Sequence, residues 1–359
     1  MNRKVLGGVL VLLGVALIVV GLVVAFVVVP NMKQFPADVN TTRTYEGTVP
    51  VQLDPTTFQF MTNLSVDLTR HFMTIATDGN LALVKEEQTL SVKDGPVLQE
   101  YVKYHAINRK TMEGVENYPA KWNENEGLYG RQGLSLGWPI DTQKKDYPGW
   151  SDDYRAVVTL RYEGEIEYPR AKINTYYFTS ESDPLPIVPE AVAAMHLPTE
   201  ISQAQLATLV SGMEGLDPVI GQALPLLIKM AEWPDPIPLT YVYGYSGEYW
   251  VEPTSGVLID THKIEIRSVS VPDDLLTALV GKIEALPIKI DPTMISSLLP
   301  ITVSHLEYQA TDQSVQDAKK DAEDAKSKIH LYGTTLPIVA VLGGVVLGLV
   351  GIFLFTRKP

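Results

Sequence analysis

Cysteine is absent from the 359 residues. Its absence removes disulfides, thiol nucleophiles and thiolate metal sites, and a body of this size holds enough core to fold without cross-links. Charge is absent from two long stretches, Val5 to Val29 and Leu336 to Phe355. Cations are scarce between them. Setting aside Arg3, Lys4, Arg357 and Lys358 leaves 25 of the 29 Lys and Arg against 42 Asp and Glu, a net charge near −17 for the intervening body. Such a body does not suit a phosphate backbone, so nucleic acid is not an expected partner.

What the two uncharged stretches do contain is almost purely aliphatic. About 25 residues in the first, at about 1.5 Å rise each, exceed the roughly 30 Å hydrocarbon core and call for some tilt. A cleaved signal would have a shorter apolar core and a small-x-small exit, whereas this run ends in Val27-Val28-Val29-Pro30. A retained anchor is the expectation. Arg3 and Lys4 before the first stretch and Arg357 and Lys358 after the second place both termini on the cytoplasmic side. The expected layout is therefore residues 1–4 cytoplasmic, a span at 5–29, an extracytoplasmic domain at 30–334, a span at 335–355 and a cytoplasmic tail at 356–359. Gly7, Gly14 and Gly21 recur every seven residues, and Gly344, Gly348 and Gly351 share a stripe of the second span. Small residues let helix backbones approach in lipid, so the spans are expected to pack together, within one chain in preference to between chains.

The middle reads as mainly β with inserted helices: an antiparallel, curved or barrel-like sheet. Thr44–Val51, Leu81–Val92, Val97–Ile107, Tyr154–Tyr168 and Ala171–Phe178 alternate between Gly/Asp turn signals, and Leu239–Val251 with Val257–Val269 forms a hairpin about Pro253-Thr254-Ser255-Gly256. A helical insert is expected at about 185–236. Its apolar positions Leu206, Leu209, Met213, Leu224, Leu227 and Met230 read as core or, more sharply, as a mobile cover over an apolar ligand. Val315, Ala318, Ala322, Ala325 and Ile329 give a juxtamembrane helix at about 312–330, read as a stalk that Gly333 and Pro337 separate from the second span.

Catalytic motifs are lacking. Gly133-Leu134-Ser135-Leu136-Gly137 fits G-x-S-x-G, but Trp138-Pro139 follows where a nucleophile elbow needs a helix. The six histidines, His105 among them, show no metal-ligand spacing. Asp152-Asp153 reads as an exposed turn, and Glu163, Glu165 and Glu167 as one solvated strand face. No catalytic residue, metal or cofactor is expected. Asn40-Thr41-Thr42 and Asn63-Leu64-Ser65 match the glycosylation acceptor pattern at Asn40 and Asn63.

The run from Gly130 to Trp150, GRQGLSLGWPIDTQKKDYPGW, resembles a segment of a family of two-span membrane proteins of unknown function, often labelled the porin PorA family. Arg3-Lys4-Val5-Leu6-Gly7 and Tyr249 to Val257 look like it too, while Leu185–Pro236 resembles an enlargement of its pattern. The resemblance implies two spans and brings no catalytic residue. In architecture alone the chain is also similar to CD36-like scavengers and to lipoprotein carriers, which cup lipid against a curved sheet. The functional expectation is a membrane-anchored protein that binds or transfers lipid or other apolar molecules. The alternative is a structural protein that organises partner proteins of the cell envelope.

Overall fold

A computed structural model describes residues 3–54, 57–211, 226, 228–230, 232–284 and 299–356. The chain is mainly antiparallel β with long apolar helices at both ends. Helix α1 covers Arg3–Met32. Strands β1 (Asn40–Leu53), β2 (Phe60–Asp78), β3 (Leu81–Val92), β4 (Val97–Asn108), β5 (Tyr147–Ser151), β6 (Ala156–Tyr168) and β7 (Ile173–Pro186) follow. The insert contributes α2 (Pro189–Ala194), β8 (Glu200–Ile201), α3 (Gln203–Ser211) and β9 (Ile237–Pro238). Then come β10 (Thr240–Glu252), β11 (Val257–Ser270), α4 (Asp273–Glu284), β12 (Ile301–Ala310), α5 (Asp312–His330) and α6 (Leu336–Thr356).

Ten strands form one sheet in the order β4-β3-β2-β1-β12-β11-β10-β7-β6-β5, curled into a half-barrel. Short turns pair consecutive strands within β1–β4, β5–β7 and β10–β11, the insert lies between β7 and β10, and β12 joins the chain's two halves by lying between β1 and β11. The outer face carries Lys85, Glu87, Glu163, Glu248, His262 and Glu307, a surface suited to water and not to acyl chains.

The edge strands β4 and β5 do not pair with each other. Chain from the segment between them ties the seam instead, through bridges Ile107–Gly114, Glu113–Leu134 and Leu134–Gly149. At one end of the half-barrel, Met112, Leu134, Trp138, Phe178 and Val251 pack as an apolar cluster. At the other, Ile201, Leu206, Leu209, Ile228, Trp233 and Leu279 of the insert and α4 pack on Tyr241, Val269 and Ile301.

Helix α5 begins at the N-cap Thr311, whose hydroxyl accepts from Ser314 N at 3.2 Å. Val315, Ala318 and Ala322 are buried against the outside of the sheet, so half of the expected stalk is docked. Nor do Gly333 and Pro337 break the helix, which runs from Asp312 to Thr356. A wide π turn at Leu331–Thr335 absorbs the proline, whose ring would otherwise meet the carbonyl four residues back. Helix α1 uses the same device: a π turn at Val24–Val28 precedes Pro30. The two wide turns lie side by side, with Val29 against Gly333.

Helices α1 and α6 pack antiparallel along their glycines. A Cβ at Gly7 would lie 2.7 Å from the Gly351 carbonyl oxygen, and one at Gly14 only 2.5 Å from that of Gly344. Gly21 faces Pro337, Ala340 and Val341 in the same way. Gly348 offers its backbone N to Gly14, while its own Cβ direction is open. The described termini carry Arg3 and Lys4 at the start of α1; Arg357 and Lys358 lie outside the described residues.

Candidate functional site

Inside the half-barrel, between the two apolar clusters, lies a cavity of about 870 Å³. Alternation along each strand sends every second side chain inward, and here a band of charged and phenolic side chains stands among aliphatic ones such as Leu90, Leu258 and Leu306. Arg70 comes from β2, Glu86 from β3, Tyr101, Lys103 and His105 from β4, Tyr243 and Tyr249 from β10, Lys263, Glu265 and Arg267 from β11, and Tyr308 from β12.

Four carboxylates organise the ring. Glu86 accepts from Arg70 Nε at 2.7 Å and from His105 Nε2 at 2.9 Å. Asp152 accepts from Lys103 Nζ at 3.0 Å, Arg131 Nε at 2.9 Å and the Tyr129 hydroxyl at 2.5 Å. Asp153 takes Arg267 in a two-pronged pair at 3.1 and 3.2 Å. Glu265 accepts from Lys263 at 2.6 Å and the Tyr243 hydroxyl at 2.7 Å. Burial pushes Glu86 upward, but Arg70 and His105 outweigh it and hold the carboxyl below the usual range. Asp152 is likewise held well below its ordinary value, with Lys103 and Arg131 overcoming burial.

The tip of the β5–β6 hairpin delivers this chemistry. Residues 152–155 form its four-residue turn; Asp152, Asp153 and Arg155 line the chamber, while Tyr154 packs on Tyr243 beside the insert's apolar cluster. Tyr154 is pinned by its hydroxyl to the Tyr243 carbonyl, and Arg155 closes the turn with φ +45°, the left-handed region. Asp152 and Asp153, read from sequence as an exposed turn, are partly buried ion-pair centres, because the hairpin folds inward across the seam. The signal available in advance was weak: two acids flanked by Trp150 and Tyr154.

The cavity is open on one side. Its exposed lining residues are Val102, Glu124, Glu126 and Gly127 at the seam, with Ala194 and His196 at the end of α2. Ser135 of the G-x-S-x-G run lines the chamber, and its Oγ has no hydrogen-bond partner. No helix follows it, and no histidine is bonded to it. Glu163, Glu165 and Glu167 are all exposed but do not share one face: the register shift after Tyr162 leaves Glu163 outside with Thr179 and sets Glu165 opposite Tyr176, on the side of the Phe178 cluster. Of the apolar-cover positions, Leu206 and Leu209 are packed inside the insert's own core and Met230 is half-buried; Met213, Leu224 and Leu227 lie outside the described residues. Asn40 and Asn63 are exposed, with Asn40 bonded to His71 at 2.7 Å.

A family model for porin PorA matches residues 6–353. The chain belongs to the porin PorA family. A comparison with curated proteins finds no match. Family membership and the two apolar helices make this PorA-family chain a membrane-associated protein, with a sheet whose wet outer face sets it apart from a lipid-facing barrel.

His105 supplies a pH test. The Glu86 carboxylate only accepts, so Nε2 carries the proton and Nδ1 is left as a buried lone pair without a partner. Burial, joined by Arg131, pushes its pKa below the ordinary value despite Glu86. As pH falls through about 6.5, the unfolded chain takes up a proton that the native chain refuses, so this contribution to stability is lost downward. His262 works oppositely: burial lowers it, but Glu307 and Glu248 outweigh that and raise it, favouring the native state at low pH. The difference between wild type and His105→Gln isolates the first effect. Urea midpoints measured from pH 8 to 5 should fall less steeply for the variant. Parallel curves would show that His105 titrates alike in both states.

Proposed function

We propose that the protein is a two-pass membrane protein with both termini in the cytoplasm. In this reading the extracytoplasmic half-barrel binds a polar, oxygen-rich ligand in its chamber. The cationic residues Arg3 and Lys4 support the orientation, as does the antiparallel packing of α1 on α6. One observation carries the ligand class: charge pairs and tyrosines from β2, β3, β4, β10, β11 and β12 converge on a space of ligand size, with apolar side chains filling the wall between them.

Magnitudes separate this reading from acyl-chain binding. A buried methylene contributes about 0.8 kcal/mol. Covering even one of the ring's charges with hydrocarbon costs several kcal/mol, which offsets about four to six methylenes. Lipid therefore fits best through a polar head group, with its chains outside the ring. A pore along the half-barrel, which the family's name suggests, is disfavoured by the apolar clusters at both ends.

Calorimetric titration of the full chain in nanodiscs tests the reading. Hydrophilic probes such as citrate and methyl glucoside should include at least one that binds saturably, while a fluorescent fatty acid should not enter. Saturable fatty-acid uptake with no polar probe bound would sink it in favour of the apolar reading.

A further inference from the structure

We propose that the chamber's ligand carries an oxyanion, a carboxylate or phosphate, and that Arg155 is the residue that docks it; this rests on the polar-chamber reading above.

Counter-ion accounting leads there. Each of the ring's four carboxylates is engaged: Glu86 by Arg70 and His105, Asp152 by Lys103 and Arg131, Asp153 by Arg267, Glu265 by Lys263. Among the described residues that line the chamber, Arg155 is the cation left without a carboxylate. The surplus is also local. Asp152 is bonded to both Lys103 and Arg131, and Arg155 joins them: the Tyr129 ring carries the Arg131 guanidinium at 4.1 Å and that of Arg155 at 4.3 Å. Glu86 and Asp153 also act on Lys103, which leaves Arg155 as the unbalanced cation of this corner.

Position and posture agree with that count. Arg155 is a half-buried lining residue stacked on Tyr129, which lies two residues along the chain from the exposed rim residue Gly127. Its Nε is buried with no hydrogen-bond partner, a donor that an oxygen acceptor would satisfy. The stacking on Tyr129 and the left-handed turn hold the planar fork in one place, the arrangement that favours two-pronged recognition of a carboxylate or phosphate. Glu124 and Glu126 are on the rim of the same mouth but exposed, so water and salt screen them. They set a penalty on approach, and the paired cations set the attraction inside.

Phosphate chemistry has two sources, a soluble ester or a phospholipid head group. Titrating the full chain in phosphatidylcholine nanodiscs with glycerol 3-phosphate, with short-chain phosphatidylglycerol and with neutral methyl glucoside distinguishes them. At least one phosphate probe should bind more tightly than the glucoside. Arg155→Gln should weaken that probe at least tenfold while leaving the glucoside unchanged, and Arg155→Lys should fall between. The tighter phosphate probe names the source. Equal phosphate affinity in wild type and Arg155→Gln overturns the docking role while leaving the polar chamber standing. Failure of every polar probe, neutral or charged, overturns the chamber reading and this inference with it. If Arg155→Gln does not fold, Arg155→Lys and the salt dependence of the wild type decide: phosphate affinity indifferent to 0.05 against about 0.5 M salt rejects an ionic dock.

Discussion

Gly14→Leu should separate the two membrane helices. The first carbon of any side chain at position 14 would sit 2.5 Å from the Gly344 carbonyl oxygen and 2.8 Å from the Gly348 nitrogen. Both obstacles are backbone, so neither can swing aside, and the helices must part by more than an ångström. In lipid no hydrophobic gain holds the pair together, since acyl chains are as apolar as leucine; close packing supplies the association. Overpacking of about 1–3 kcal/mol corresponds to a factor of about 5 to 150 in the paired population. The cysteine-free chain makes this measurable. Position 21 would place a Cβ 3.2 Å from that of Ala340, close to disulfide range, so Gly21→Cys with Ala340→Cys should cross-link readily under mild oxidation. Adding Gly14→Leu should cut the yield by at least about fivefold. Undiminished cross-linking would mean the pair is held by the outer body and not by its glycine seam.

Much of the fold was legible because the local rules agree with one another. The Leu81–Val92 strand is bounded by Asp-Gly turns on both sides and is found with those bounds. The hairpin of β10 and β11 and the helix at 312–330 likewise announce themselves by turn chemistry and period. Two elements gave no clear signal. Strand β12 buries Ile301 and Val303, then Leu306, Tyr308 and Ala310. A bulge opposite Arg267–Ser268 shifts the inward set by one residue, so a strict alternation never forms in the sequence. Strand β2 opens on Phe60-Met61-Thr62-Asn63, where Asn63 adopts a positive φ and its alternation begins only at Leu64. Across Pro337 the helix continues because a wide turn absorbs the ring, a tertiary accommodation that a propensity rule does not contain.

The site was less legible for a different reason. A charged residue at every second strand position reads as a solvated face, and the rule that apolar faces turn inward then assigns the wrong side. In this sheet the inward face of β11 carries Lys263, Glu265 and Arg267, while outward positions on neighbouring strands are charged as well. Only the curl of ten strands, which encloses these groups, separates the two faces. The sequence does show the apolar insert, and that feature drew the expectation of an apolar ligand; Leu206 and Leu209 are instead part of a packed core beside the chamber.

Asp152→Ala should be among the most destabilising single changes outside the apolar core. The carboxylate holds three donors that come from two places: Lys103 on the edge strand β4, and Tyr129 and Arg131 on the segment that ties the seam. Arg131 is only 2% exposed, so removing its counter-ion strands a guanidinium where water does not reach. Breaking a buried pair in this way costs about 3–5 kcal/mol. Lys103 is 37% exposed and can turn toward the chamber, which argues for the lower end, about 3 kcal/mol. At about 2.1 cal/mol/K of unfolding entropy per residue, a melting temperature lower by about 5 °C follows for a body of this size. Asp152→Asn keeps an acceptor for Arg131 and should lose less than half as much. Glu163→Ala, whose carboxylate meets only Thr179 on the exposed outer face, should stay within about 0.5 kcal/mol of wild type. If Asp152→Ala instead melts with Glu163→Ala, the edges β4 and β5 are held by the backbone bridges through Leu134 alone. The ion cluster would then be free of structural duty, and its retention in so acidic a chain would have to come from what it binds.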